Sequence, residues 1–142
     1  MFIKQLSIFI ENREGRLEKV TETLAANDIN IVCISLADTS EYGLLRMIVS
    51  DPVRAKAILK QNGFSAMLTD VIPVRIPHNF GTLHKLTQGL SNKDINIEYM
   101  YAFTSGKDNA SIIIKTNNNA NAIDIIGEMG YETLTEEYAY NL

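Results

Sequence analysis

The sequence contains an internal repeat that spans most of its length. The segment IENREGRLEKVTETLAANDINI begins at Ile10, and the segment IPHNFGTLHKLTQGLSNKDINI begins 66 positions later at Ile76, with no gap in the alignment. Gly15 aligns with Gly81, and both segments end in the same run, Asp-Ile-Asn-Ile. Self-similarity at one offset is the mark of a duplicated structural unit. The chain is therefore predicted to form two copies of one small domain, residues 1–70 and 71–142.

Hydrophobic periodicity predicts the first elements of the first copy. Leu6, Ile8 and Ile10 alternate with the polar residues Gln5 and Ser7, which is typical of a half-buried strand. Apolar residues return at helical spacing over Leu17–Leu24, and this predicts a helix with one buried face. The segments Ile29–Leu36 and Leu44–Val49 are rich in β-branched and aliphatic residues, so they are predicted to form a hairpin.

The second helix and the last strand of this copy carry terminal signals. Asp51 followed by Pro52 is typical of a helix start, with the carboxylate as cap and proline in the first turn. Gly63 suits the left-handed residue that follows a helix. The segment Phe64–Leu68 then predicts a fourth strand.

The second copy predicts the same order of elements. Pro73 has no N–H to donate to a strand ladder, so Asp70–Pro73 is predicted to be a junction outside the strands. The predicted strands are Val74–Ile76, Ile95–Phe103, Ala110–Lys115 and Tyr131–Glu136, and the predicted helices are Gly81–Lys93 and Ala120–Met129.

Each copy thus has the order βαββαβ, which predicts an α+β, ferredoxin-like domain with an antiparallel sheet and both helices on one face. The fold alone does not define a function. The loop between the first strand and the first helix is more informative, because a helix N-terminus presents unpaired N–H groups and the positive end of a dipole. Such a position suits a carboxylate.

Composition and charge exclude several classes of partner. The net charge is −4, the pI is near 5.1, and the basic residues are dispersed along the chain, which argues against nucleic acid. Cys33 is the only cysteine, so a disulfide within the chain and a four-thiolate metal site are excluded, and its apolar strand predicts a packing residue. No segment has the length of a membrane span or the pattern of a signal peptide. A cytoplasmic location without cofactor, metal or membrane contact is expected.

The run Ile10–Leu17, together with Asp28–Ile31 after the helix, resembles the signature of ACT domains. In that family the loop reads Asn or Asp, two residues, then Gly-x-Leu, and the second strand opens with a Val/Ile-Asn-Ile run. The resemblance implies a non-catalytic regulatory module that binds a free amino acid. It places Asn12 and Asn30 among the residues that contact the effector.

The resemblance also implies a mode of assembly. ACT domains commonly pair through edge strands and bind effectors where the loop of one domain faces the edge of its neighbour. Pairing of the second strands, Ile29–Leu36 and Ile95–Phe103, would join both copies into one eight-stranded sheet. A homodimer, or association with a regulated enzyme, is expected.

The predicted ligand-binding residues surround the same loop in both copies. Two positions depart from the family pattern, because Glu14 and Phe80 stand where proline is common before the glycine. His78 replaces the loop asparagine in the second copy. The full predicted set is Asn12, Arg13, Glu14, Gly15, Arg16, Leu17 and Asn30, with His78, Asn79, Phe80, Gly81, Thr82, Leu83 and Asn96.

Three other interpretations stay open at this point. Asn12 is a residue type that turns loops without any ligand. A module that only assembles through its edge strands would bind no small molecule. An acylphosphatase-like hydrolase would use a loop arginine such as Arg13 or Arg16, but Asn79 and Thr82 occupy these positions in the second copy, and no nucleophile and base are paired in the sequence.

Overall fold

In the computed structural model, which describes residues 1–38 and 41–142, the backbone follows the βαββαβ order twice, so the predicted α+β class is confirmed. The elements in chain order are β1 (Ile3–Glu11), α1 (Arg16–Ala26), β2 (Ile31–Asp38), β3 (Tyr42–Val49), α2 (Pro52–Gln61), β4 (Ser65–Pro77), α3 (Thr82–Ser91), β5 (Ile97–Ser105), β6 (Asn109–Thr116), α4 (Asn119–Glu128), β7 (Glu132–Thr133) and α5 (Glu136–Tyr140).

The chain divides into two units. The first unit consists of Lys4–Thr69 with Ala139–Leu142, and the second consists of Met1–Ile3 with Asp70–Tyr138. Strand β4 contributes residues to both units, and each unit also contains a few residues from the opposite terminus of the chain.

The sheet of the first unit has the strand order β2-β3-β1-β4. Strands β1 and β3 are antiparallel with Ile10 opposite Gly43, and β2 and β3 are antiparallel with Leu36 opposite Leu45. Helices α1 and α2 cover one face, where alternate residues of β1 and β3 point inward. The buried core residues are Leu6, Ile8, Ile10, Val20, Leu24, Ile29, Leu45, Met47, Val49, Ala55, Leu59, Phe64 and Ala66.

The sheet of the second unit has the order β4-β6-β5, and the short strand β7 also pairs with β4. Ile76 lies opposite Ala110, and Ala102 lies opposite Ile112. Helices α3 and α4 again supply the apolar residues that cover the sheet. The buried core residues are Ile72, Val74, Ile76, Leu86, Leu90, Ile95, Ile114, Ala122 and Ile126.

The Asp-Ile-Asn-Ile run follows the first helix of each copy, and its aspartate closes that helix. Asp28 is left-handed, with a φ of 57°, and the N–H of Ile29 donates to the carbonyl of Leu24 at 3.0 Å. This is the hydrogen-bond pattern that closes a helix through a left-handed residue, and aspartate tolerates that conformation better than most side chains. Asp94 repeats the conformation with a φ of 58°. The repeated aspartate is therefore a structural part of the motif.

The terminal signals of α2 are confirmed. The Asp51 carboxylate accepts a hydrogen bond from the N–H of Arg54 at 3.2 Å, and Pro52 occupies the first turn. Gly63 follows the helix with a φ of 86°. These residues favour the observed boundaries locally, because each supplies a backbone conformation or an acceptor that the helix end requires.

The predicted junction before the second copy is wrong. Asp70–Pro73 lies inside β4, and Pro73 is opposite Ile113 in the ladder. The proline ring removes one donor, but the carbonyl of Pro73 still accepts a hydrogen bond from the N–H of Leu134 at 2.9 Å. The two strands expected at Phe64–Leu68 and Val74–Ile76 are thus one strand, and seven strands are described instead of eight.

The end of the chain also differs from expectation. Only Glu132 and Thr133 of the predicted strand Tyr131–Glu136 pair with β4, and Glu136–Tyr140 forms the short helix α5. In addition, β2 pairs only with β3 and β5 only with β6 within the described residues. The expected pairing of the two second strands inside one chain is therefore not present.

Candidate functional site

The loop between β1 and α1 ends in an uncapped helix start. Gly15 has a left-handed φ of 83°, and no side chain accepts from the first helical turn. The N–H of Arg16 reaches the carbonyl of Arg13 at 3.4 Å, while the first helical bond runs from Lys19 to Gly15 at 3.0 Å. The N–H groups in the first turn of a helix have no partner within the helix. They are therefore available to a negatively charged ligand group.

The second copy builds the same helix start. Gly81 precedes α3 with a φ of 79° and no side-chain cap, and the N–H of Thr82 reaches the carbonyl of Asn79 at 3.4 Å. The other two repeat helices are different. Asp51 caps α2, and Asn118 caps α4 by accepting from the N–H of Asn121 at 3.1 Å. Among the four repeat helices that the structure describes, only the helix that follows the first strand of each copy is left without a side-chain cap.

The loop is held against the hairpin that joins β2 and β3. The N–H of Asn12 donates to the carbonyl of Glu41 at 2.9 Å. His78 makes the equivalent bond in the second copy, to the carbonyl of Asp108 at 2.9 Å. These backbone bonds fix the position of the loop in both units. The side-chain amide of Asn12 makes no hydrogen bond to the described residues.

A cavity of about 130 Å³ lies beside this loop in the first unit. Three of its lining residues, Asn12, Arg13 and Leu17, belong to the predicted ligand-binding set. Four others were not predicted: Ile10 and Glu11 directly precede the loop in the chain, whereas Leu36 and Gly43 are brought to it by strand pairing. The pairing register between β1 and β3 places Ile10 opposite Gly43 at the end of the sheet where the loop begins. A correct prediction of this register would have indicated Gly43 as a lining residue.

The cavity combines a charged rim with apolar walls. Arg13 and Glu11 form an ion pair with 2.6 Å between Nε and Oε2, and their side chains are 58% and 51% exposed. An exposed pair of this kind contributes little to stability, so its two charges can exchange partners at small cost. Ile10 and Leu17 form carbon surface below it.

Other predicted residues do not line this cavity. The guanidinium of Arg16 lies over the ring of Phe64, with 4.6 Å between its Cζ and the ring centroid. Its Nε is buried and has no hydrogen-bond partner among the described residues. Glu14 and Gly15 are exposed. Arg16 is therefore a packing residue in this structure, and Gly15 shapes the loop through its backbone.

Asn30 lies at the other end of the first unit. Its N–H donates to Oγ of Ser50 at 2.9 Å, next to the end of β3. The loop between β1 and α1 begins at the opposite end of β3, where Glu11 pairs with Tyr42. Seven steps of about 3.3 Å separate the two ends, or roughly 23 Å. Asn12 and Asn30 of one unit therefore cannot contact the same small ligand.

The second unit repeats this separation. The N–H of Asn96 donates to Oδ1 of Asn117 at 3.0 Å, in the position equivalent to the bond between Asn30 and Ser50. A larger cavity, of about 500 Å³, is lined by His78, Asn79 and Phe80 of the second loop. The Phe80 side chain is fully exposed, Leu83 is 44% exposed, and Thr82 is buried. The equivalent sites of the two units thus differ in size and chemistry.

Within the described residues, neither Cys33 nor a cluster of metal-ligating side chains forms a further site. Burial raises the pKa of the Cys33 thiol to about 11, and a backbone hydrogen bond at Ile48 offsets only part of this effect. A nucleophilic cysteine needs the opposite shift. Within residues 1–38 and 41–142, His, Cys, Asp and Glu side chains form no group of three or more that is arranged to hold a metal ion. None of the helices described has both the length and the apolar character needed to span a membrane.

Comparison with known proteins supports the interpretation of the motif. The chain is 39% identical to a protein of Bacteroides thetaiotaomicron of known structure, with a TM-score of 0.94 over 100% of this chain and 98% of that one. It has the fold of the regulatory subunit of aspartate kinase from Thermus thermophilus, at 20% identity and a TM-score of 0.66 over 88% of this chain and 91% of that one. The corresponding subunit from Thermus flavus gives 21% identity and a TM-score of 0.61, over 88% of this chain and 90% of that one.

A search of curated protein sequences found no match. The sequence profile described as an ACT domain pair matches residues 1–141. That match covers both copies of the repeat and both uncapped helix starts. The chain therefore belongs to the family of ACT domain pairs.

Proposed function

We propose that this chain is a non-catalytic regulatory module that binds a free amino acid at the loop between β1 and α1. One observation carries the proposal: an uncapped helix start at a left-handed glycine lies beside a cavity lined by Asn12 and Arg13. The same helix start is built a second time at Gly81. The structural similarity to regulatory subunits of aspartate kinase supports a regulatory role.

The chemistry of the loop suits the main-chain groups of an amino acid. The first-turn N–H groups of α1 and the positive end of its dipole favour a carboxylate. The amide of Asn12 both donates and accepts hydrogen bonds, which matches a ligand that carries a carboxylate and an ammonium group. Glu11 and Arg13 place one charge of each sign at the rim, so a zwitterion meets a complementary charge at either end.

We propose that a second ACT domain completes the site. Within the part of the chain that the structure describes, strand β2 is paired on one side only, and its residues Ile34 and Leu36 are 47% and 50% exposed. Natural proteins normally protect or pair such an apolar edge. Antiparallel pairing of two β2 strands around a twofold axis would bring the partner subunit's Asn30 towards the Asn12 loop. This arrangement would unite two residues that lie at opposite ends of one unit.

The experiment is a calorimetric titration of the purified chain with each of the standard amino acids. For the amino acid that binds, Asn12→Ala is expected to weaken binding by about 1–3 kcal/mol, because a polar group of the buried ligand loses its partner. Asn121→Ala is the matched control, because this asparagine is exposed on α4. The control is expected to bind as the unchanged chain does. Equal affinity in both variants would remove Asn12 from the site.

A ligand-independent assembly module is the second candidate, and the exposed residues Ile34 and Leu36 on β2 favour it. Sedimentation of the chain with and without amino acids separates the two candidates. Dimers that form equally well in both conditions, together with no binding of any amino acid, would support assembly alone. A hydrolase is less well supported, because Arg16 stacks on Phe64 and the second copy has Asn79 and Thr82 in place of the loop arginines. The cytoplasmic location and the absence of a cofactor stay predictions.

A further inference from the structure

We propose that the cavity of the first unit selects an amino acid with a short aliphatic side chain. The inference rests on the proposed function, because it assumes that the main-chain groups of the ligand are held at the Asn12 loop. The side chain of a ligand held there would enter the space between β1, α1 and the hairpin. Ligand selectivity then depends on what lines that space.

Among the lining residues that the structure describes, three are aliphatic. Ile10 is 4% exposed and belongs to the core, Leu17 packs against the same core, and Leu36 forms the side nearest the hairpin. The polar lining residues stand at the rim, where Glu11 and Arg13 are bound to each other. A hydroxyl or charge buried between the three aliphatic side chains would lose its hydrogen bonds to water without replacement. An aliphatic group would instead gain from leaving water.

The size of the space limits the ligand to a short side chain. Its volume is about 130 Å³, well below the roughly 300–1,000 Å³ of pockets that hold drug-sized ligands. Gly43 allows the cavity-lining side chains of Leu36 and Ile10 to pack against its backbone, and an added Cβ would push them towards the space. A Cβ at position 43 would lie 3.1 Å from Cδ1 of Leu36 and 3.3 Å from Cγ1 of Ile10.

The second unit does not reproduce these features. Ala110 occupies the place of Gly43, because it lies opposite Ile76 as Gly43 lies opposite Ile10. By the same register, Ala102 replaces Leu36. Pro77 and Asn79 replace Glu11 and Arg13 in the repeat, so the ion pair at the rim is also missing. The proposed selectivity therefore belongs to the first unit.

The test compares L-valine, L-threonine and L-alanine by calorimetric titration of the full chain. Valine and threonine have nearly the same shape and differ in one methyl or hydroxyl group, while alanine fills less of the cavity. Valine is expected to bind at least about tenfold more tightly than threonine or alanine. One methyl group in an apolar pocket changes affinity by about 10–200-fold.

Variants at the cavity locate the side chain of the ligand. Gly43→Ala is expected to weaken valine binding about tenfold and to change alanine binding by less than about threefold, because the added methyl group narrows only the inner space. Ala110→Gly is the matched control and is expected to leave valine binding unchanged. Leu36→Ala is a second variant at a half-exposed position, and it is also expected to weaken valine binding. Circular dichroism establishes that each variant is folded.

If threonine or serine binds more tightly than valine and this binding is lost in Asn12→Ala, the aliphatic selectivity is overturned. The proposed function would stay intact in that case. Valine binding that is unchanged in both Gly43→Ala and Leu36→Ala would also overturn it, since the side chain would then lie elsewhere. Failure of every standard amino acid to bind would overturn the proposed function and this inference together.

Discussion

Replacing Leu24 with alanine is expected to lower the free energy of unfolding by about 2–5 kcal/mol. Leu24 is fully buried in the core of the first unit, on the helix α1 that carries the candidate site. Its truncation removes apolar contacts and leaves a cavity, because surrounding side chains relax only in part. The backbone bond from Ile29 to Leu24 would be retained, so the loss reports packing rather than the helix end.

Denaturant unfolding followed by circular dichroism measures this loss. Leu90→Ala is the matched variant in the second unit, because Leu90 occupies the same position of the repeat and is also fully buried. Glu22→Ala, on the exposed face of α1, is expected to change the free energy of unfolding by no more than about 0.5 kcal/mol. A loss below about 1 kcal/mol for Leu24→Ala would contradict the assigned core.

Replacing Gly15 with valine is expected to affect both stability and binding. The left-handed φ of 83° suits glycine, and a non-glycine residue in that region costs about 1–3 kcal/mol. No atom lies within 4 Å of a Cβ at this position, so the cost is backbone strain without a steric clash. A loop that shifts to relieve the strain would move the Asn12 amide and the first-turn N–H groups. Amino-acid affinity is therefore expected to fall about a hundredfold or more.

Thermal unfolding and titration with the bound amino acid measure the two effects. Gly127→Ala is a control with the opposite expected effect on stability, because Gly127 lies inside α4 and an added Cβ would meet open space. Alanine there is expected to raise the free energy of unfolding by up to about 1 kcal/mol. Gly81→Val is the control for the second unit and is expected to leave binding at the first loop unchanged. Full affinity in Gly15→Val would show that the ligand does not depend on this loop.

The duplicated βαββαβ order could be predicted because its signals are local. Alternation over Leu6–Ile10, helical spacing over Leu17–Leu24 and the Asp51-Pro52 helix start each depend on residues only a few positions apart. Such signals specify where a strand or helix begins and which side chains face the core. They did not indicate that Gln5 and Ser7, the polar residues of the half-buried pattern in β1, are buried as well. Similar signals occur in both copies of the repeat. The strands and helices predicted in one copy therefore support those predicted in the other.

The prediction at Pro73 was wrong because its outcome depends on strand neighbours. A proline disrupts a ladder only where its missing N–H is needed, and the sequence does not say which side of the strand faces a partner. In the fold, the carbonyl of Pro73 bonds to the N–H of Leu134, a residue far along the chain. The last predicted strand, Tyr131–Glu136, also depended on a distant partner, because only Glu132 and Thr133 pair with β4. For the same reason the sequence analysis did not predict the helix α5.

The motif by itself identified the loop, and with it Asn12, Arg13 and Leu17, because a left-handed glycine and an uncapped helix start are encoded by neighbouring residues. Only the tertiary structure decided what faces that loop. Antiparallel pairing brings Leu36 and Gly43 to it from another part of the chain and carries Asn30 to the far end of the same unit. A sequence motif therefore specifies backbone geometry, while the composition of a cavity depends on the register between strands that are separated in the chain.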